Sequence, residues 1–209
     1  MAPPTRDQLL DAAARVFGEH GFRGATTRLI AEAADVNEVT LFRLFGSKDA
    51  LLGEAIRTRV YEREMVLLPD EPGDAHAELT AWATAEHDHL STHRPSIRQG
   101  MSELSERPEL SRCMAHGPKG AYSRLETYFS RLIKAGRAFK DANPHDASAM
   151  LLGSLFADAM GRDMMPESLP SAKQAPAAYV TLILRAIGYT VRPSTPRRRP
   201  ATARSRRPA

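Results

Sequence analysis

No uncharged apolar run in this 209-residue chain approaches the roughly 18 residues needed to cross a bilayer. The densest stretch, Ala147 to Ala157, is closed by Asp158. The first residues also lack a basic-then-apolar secretory pattern, because Asp7 and Asp11 fall where its apolar core would lie. Cysteine is nearly absent, and Cys113 alone cannot form an internal disulfide. These absences predict a cytoplasmic protein without membrane contact. The chain also holds no Gly-rich phosphate loop, no Cys/His constellation and no carboxylate pair with an evident cleft. The sequence therefore predicts no catalytic residues, no metal, no cofactor and no enzyme. Strand-type alternation and internal repeats are missing too, so the expected fold class is all-α.

The net charge of +4 is unevenly placed. Residues 192–209 hold seven arginines and no acid, whereas residues 1–52 hold six basic and seven acidic residues. Any nucleic-acid function of the folded part must rest on where its few cations sit, because its overall charge does not favour DNA.

Leu9, Ala13, Val16, Phe17 and His20 recur at helical spacing over residues 6–20, after a capping-box pair at Thr5 and Gln8 and before a stop at Gly21. Thr26 and Thr27 offer N-cap hydroxyls to a second helix with Leu29, Ile30, Ala33 and Ala34. Asn37 caps a third with Val39, Leu41, Phe42 and Phe45, and Ser47 caps a longer one that starts at Lys48. The two middle helices are too short to be stable alone and must lean on their neighbours. Short helices joined by turns of three or four residues form a helix-turn-helix. Beyond the break at Pro69 to Gly73, helices are expected near 75–92, 95–105, 107–115, 118–137, 144–162 and 175–188. The domain reading is a helix-turn-helix head at 1–52, a helical ligand-binding and dimerisation domain at 53–191, and an Arg/Pro-rich tail at 192–209 with too little apolar surface to order itself.

In a helix-turn-helix the second helix lies in the major groove. With Val39, Leu41 and Phe45 turned to the head's core, Asn37, Glu38, Thr40, Phe42 and Arg43 are left facing outward. Glu38 suits a cytosine amino group, Thr40 a thymine methyl, and Arg43 guanine or phosphate. Lys48 in a helix's first turn is disfavoured by the macrodipole unless a phosphate sits there, and Thr26 and Thr27 offer hydroxyls to another. The plain alternative is a surface helix with an ordinary polar face and simple capping.

The stretch from Gln8 to Leu52 resembles the head of the tetracycline-repressor (TetR) family of transcriptional regulators. The resemblance is carried by AAARVFGEHGF, TTRLIAEAADV and VTLFRLFGSKDALL. It implies a homodimer on a double-stranded DNA operator, a small-molecule effector bound among the later helices, and more often repression than activation. Three positions depart from the family pattern: Asp35 replaces a turn glycine, Phe42 a tyrosine, and Leu44 a histidine or tyrosine. Asp tolerates left-handed geometry, so the turn survives, while the lost hydroxyl weakens phosphate anchoring.

Apolar residues of the second part must mostly form core, and a pocket among its helices would draw on Trp82, His89, Met101, Leu104, Met114, Tyr122, Phe129 and Phe156. His89 and His93, one helical turn apart with His87 nearby, lack a third metal ligand. Ala147 to Met160 and Ala177 to Ile187 are apolar on nearly every face, and a second copy is the simplest way to cover them. The dimer is therefore expected through helices near 144–162 and 175–188. The arginine tail adds nonspecific DNA affinity or mere solubility. The competing function is a helical homodimer that acts through protein contacts and keeps a head that does not read DNA.

Overall fold

A computed structural model of the chain describes residues 6–61, 66–108, 111 and 114–190, and every regular element among them is helical. Thr5, Cys113 and the tail lie outside the described residues. Helix α1 spans Arg6–Gly24, α2 Thr27–Ala33, α3 Glu38–Phe45 and α4 Lys48–Ala55. α4 runs on as a π-helical segment, Ile56–Tyr61. The second part comprises α5 Ala75–Thr92, α6 Arg94–Glu103, α7 His116–Lys134, α8 Pro144–Gly161 and α9 Ala175–Ala186. Of the helix expected at 107–115, Pro108 lies in a turn while Ser111 and Met114 are helical.

The head's helices begin where side-chain oxygens satisfy first-turn N–H groups. Thr26 accepts from Leu29 N, Asn37 from Val39 N and Ser47 from Ala50 N. α1 is broken at Gly21, whose φ of 68° lies in the left-handed region that a side chain resists. Asp35 takes φ 53°, the geometry expected of the residue that replaces the turn glycine. The head closes over its own core of Leu9, Val16, Phe17, Ile30, Leu41, Leu51 and Leu52.

Val39 departs from expectation. It is 72% exposed, because α3 buries Leu41 and Phe45, four residues apart, and Val39 is turned away from that stripe. Leu44 packs partly against the core.

A second core, with Leu79, Trp82, Leu125, Phe129, Leu151, Leu155, Val180 and Leu184, holds α5, α7, α8 and α9 together. Asp74 caps α5 and Asn143, followed by Pro144, caps α8. In the single chain α8 and α9 are not covered on all sides: Met150, Gly153 and Ala157 form an exposed stripe on α8, and Leu182 is exposed on α9. No helix among the described residues is long and apolar enough to cross a membrane.

Candidate nucleic-acid interface

α2, the turn through Asp35 and α3 present one surface. Asn37, Phe42 and Arg43 are exposed on it, and Thr40 is half-buried. The Asn37 side-chain oxygen Oδ1 is occupied as a cap, accepting from Val39 N at 2.8 Å, so its Nδ2 is what remains to donate. Glu38 does not point simply into solvent: it is half-buried and accepts a hydrogen bond from the Thr27 hydroxyl, which ties the start of α3 to the start of α2. Thr26, the N-cap, is exposed. Around this surface Arg28 pairs with Glu32 at 2.9 Å, and Arg15 donates to the Ala33 carbonyl at 3.2 Å, fastening α1 to the end of α2. Arg6 donates to Glu54 and to the Leu44 carbonyl and lies over the Phe45 ring, closing the other side of the head.

Lys48 opens α4, but its ammonium is turned toward α1. It lies 4.7 Å from the centre of the Phe22 ring and 3.5 Å from the Arg23 carbonyl oxygen. Burial pushes its pKa below the ordinary lysine value; Asp49 opposes the shift and Arg107 adds to it.

The head is bolted to the second part along α1 and α6. Glu103 accepts from Phe22 N at 2.7 Å and from the Gln99 amide at 2.8 Å. A Cβ on Gly21 would fall 2.4 Å from Gln99 Nε2 and 2.6 Å from Glu103 Oε1, so these side-chain ends would have to shift. Arg59, in the π-helical segment, bridges to Asp7 and to Asp11, the latter at 2.6 Å. Its carbonyl pairs with His93 Nε2 at 2.8 Å.

A cavity of about 340 Å³ lies between α5, α7 and α8. It gathers His89, Tyr122 and Phe156 from the residues singled out by sequence. The other five sit elsewhere. Trp82 and Phe129 are fully buried in the second core. Met101 is exposed on α6, Leu104 lies in the turn after it, and Met114 packs over Gly100. Sequence reasoning missed Glu86, Leu90, Ala121, Arg124 and Leu152 at the wall. Glu86 could have been found, being one turn from His89 on α5.

A buried polar cluster was also missed. Asp158, 1% exposed, accepts from Tyr179 Oη at 2.7 Å and from Arg162 at 2.6 Å, and pairs with His87 Nε2 at 2.6 Å. Burial works against the Asp158 carboxylate, but Arg162, Tyr179 and His87 together hold its pKa below the ordinary value. Burial, and after it the bond to Asp158, pushes the Tyr179 hydroxyl up to about 12. The sequence signal was an Asp inside an apolar helix with an Arg four residues on. His89 and His93 stack with ring centres 4.5 Å apart, and no group of three or more metal-binding side chains occurs among the described residues.

Residues 9–55 match the family described as bacterial regulatory proteins, tetR family. The chain is 27% identical over 133 residues to the uncharacterized HTH-type transcriptional regulator YvkB of Bacillus subtilis, covering 64% of this chain and 70% of that protein. It is 42% identical over 52 residues to the HTH-type transcriptional repressor KstR2 of Rhodococcus jostii, covering 25% of this chain and 26% of that one. Among solved structures, a TetR transcriptional regulator from Agrobacterium tumefaciens superposes with a TM-score of 0.69 at 20% identity, covering 90% of this chain and 96% of that one. The transcriptional regulator FadR from Bacillus subtilis, in complex with stearoyl-CoA, does so with a TM-score of 0.63 at 16% identity, over 88% and 100%. The head, residues 9–55, is therefore that of the bacterial tetR regulatory family, and the chain as a whole shares the fold of solved TetR-family transcriptional regulators.

Proposed function

We propose that this regulator is a repressor that binds a double-stranded operator as a homodimer and is released by a small apolar or amphipathic ligand. The observation that carries the reading is the exposed face of α3. Asn37, Phe42 and Arg43 stand outward from a short helix whose opposite side is locked into a core by Leu41 and Phe45. The Arg43 side chain is exposed, near the end of α3, and reaches guanine or phosphate. Thr40 meets a thymine methyl, and Glu38 meets a cytosine amino group when it exchanges its bond with Thr27 for DNA. Thr26, Thr27 and Lys48 serve the backbone on either side, the threonines through their hydroxyls and Lys48 through its charge. Phe42 supplies an apolar contact where a tyrosine is usual. The working division is a head at 1–52, a body at 53–191 and a basic tail at 192–209, acting in the cytoplasm.

Dimerisation through α8 and α9 is supported by the exposed stripe of Met150, Gly153 and Ala157 beside Leu182, which a second copy would cover. The cavity at His89, Tyr122 and Phe156 is of ligand size, and the stearoyl-CoA bound by the FadR neighbour supports an amphipathic occupant. A ligand there favours a dimer whose heads are spaced wrongly for two half-sites, lowering operator affinity. KstR2, a repressor by name, supports the sign.

Gel shifts on the DNA upstream of the chain's own gene test the proposal, comparing the wild type with Arg43→Ala and Lys48→Ala. Each variant is expected to bind at least tenfold more weakly, at about 1.4 kcal/mol or more per lost contact. No binding by the wild type at low salt, or no effect of either change, ends it.

A further inference from the structure

We propose that Val39 is a base-reading residue, whose isopropyl group meets thymine methyl groups in the major groove and helps to set which operator the protein prefers. The proposal rests on the DNA-reading function argued above. Val39 is 72% exposed, although it belongs to a helix of eight residues that buries Leu41 and Phe45.

Helical geometry fixes what stands beside it. At about 3.6 residues per turn, Phe42 lies about 60° to one side of Val39 and Arg43 about 40° to the other, and both are exposed. Glu38 and Thr40 are half-buried, about 100° away on either flank. Val39 is therefore the middle of the outward face of α3. It is also the second residue of that helix, and in a helix-turn-helix the N-terminal residues of the second helix approach the base edges.

Neither packing nor helix formation accounts for an outward valine here. Among the described residues of the head, the large apolar side chains left exposed are Val39 and Phe42, one turn apart on this face. A β-branched residue is also a poorer helix former than a straight-chain one. In the major groove the apolar pair has one match among unmodified base edges, the C5 methyl of thymine; the other groups there are hydrogen-bond donors and acceptors. The valine is held ready for that contact. Asn37 Oδ1 accepts from Val39 N at 2.8 Å and fixes the first turn, and branching at Cβ restricts the side chain, so little freedom is lost on binding. A half-site that fits this face carries at least one thymine whose methyl lies under Val39, beside the guanine or phosphate that Arg43 meets.

Selection of the full chain on a pool of randomised duplexes, followed by anisotropy titrations at one salt concentration, tests the assignment. Val39→Ala is expected to bind the selected duplex about fourfold more weakly, or worse, for each half-site, the worth of one buried methylene. Its binding to a duplex of arbitrary sequence, which phosphates carry, should equal that of the wild type. Deoxyuridine in place of thymine removes the methyl and keeps every hydrogen-bonding group of the base edge. At one thymine in each half-site it is expected to weaken the wild type about fourfold and Val39→Ala not at all. Urea unfolding identifies a variant that has lost its fold; should Val39→Ala fail there, Val39→Thr keeps the branched shape, exchanges one methyl for a hydroxyl and gives the same readout. Three results overturn the proposal and leave the DNA-reading function standing: wild-type affinity of Val39→Ala for the selected duplex, a uracil effect that this variant retains at every thymine, or selected half-sites without thymine. An equal loss on selected and arbitrary duplexes also overturns it, assigning Val39 to the shape of the head. If the wild type selects no duplex from the pool, the DNA-reading function falls and this contact with it.

Discussion

His93 Nε2 lies 2.8 Å from the carbonyl oxygen of Arg59, so the joint between α5 and α6 is tied to the π-helical end of α4. A π-helical segment leaves carbonyls out of the regular ladder, and a side-chain donor is one way to satisfy them. The ring that makes this bond is stacked on His89, which stands in the cavity wall. His93→Ala removes the donor. It is expected to lower stability by about 1 kcal/mol, read as a shift in the urea midpoint at unchanged slope, with His93→Gln recovering part of it. An unchanged midpoint in His93→Ala would show that the bond does not hold the joint.

Asp158, itself closed to solvent, anchors three groups, His87, Arg162 and Tyr179. Asp158→Ala leaves Arg162 without its buried counter-charge and is expected to cost about 3–5 kcal/mol. Because its folded pKa is depressed, the carboxylate contributes stability above its unfolded value, about 3.9, and loses it as pH falls through the lower folded value. Tyr179 carries the opposite sign. Its contribution is complete below about 10 and is lost as pH rises through about 12. Tyr179→Phe should therefore flatten the alkaline limb of a stability profile and spare the acid one. Loss on the acid side instead would contradict the assignment.

Gly21 meets two requirements at once, a left-handed φ of 68° and contact with Gln99 and Glu103. Gly21→Ala should cost about 1–2 kcal/mol from the backbone alone, and more from the displaced side chains. Differential scanning calorimetry is expected to show a lowered Tm. Combining the change with Gln99→Ala should recover only the steric part. A wild-type Tm for Gly21→Ala would rule out both causes.

The exposed stripe on α8 and α9 predicts the assembly. Leu182→Glu and Met150→Glu, both at sites more than half exposed in the single chain, should leave its fold intact and convert a particle of twice 23.0 kDa into one of 23.0 kDa by light scattering. A wild-type chain that scatters as a monomer at working concentration would remove the dimer from the account.

What could be read in advance was local. α5 runs from Ala75 to Thr92 as the spacing indicates, and α8 starts where Asn143 and Pro144 place it, because caps and prolines act on their own turn of helix. Asp35 in left-handed geometry belongs to the same class. What depends on how helices face one another was not readable. Trp82 and Phe129 have the size and apolarity of pocket residues, yet both are buried in the second core, while Tyr122 on the same helix as Phe129 reaches the cavity. Val39 stands outward because the α3 stripe passes through Leu41 and Phe45. The partners of Asp158 come from residues 71 and 21 positions away, His87 and Tyr179, and nothing in the order of residues brings them together.

The central claim is that α3 reads DNA from an exposed face held by a head that is not itself basic. Footprinting on the DNA upstream of the chain's own gene addresses it directly. The account predicts a protected, two-fold-related site whose half-site centres lie about one helical turn apart, or a multiple of it, and whose protection disappears with Arg43→Ala. Absence of any protected site at low salt, or an identical footprint from Arg43→Ala, would contradict it.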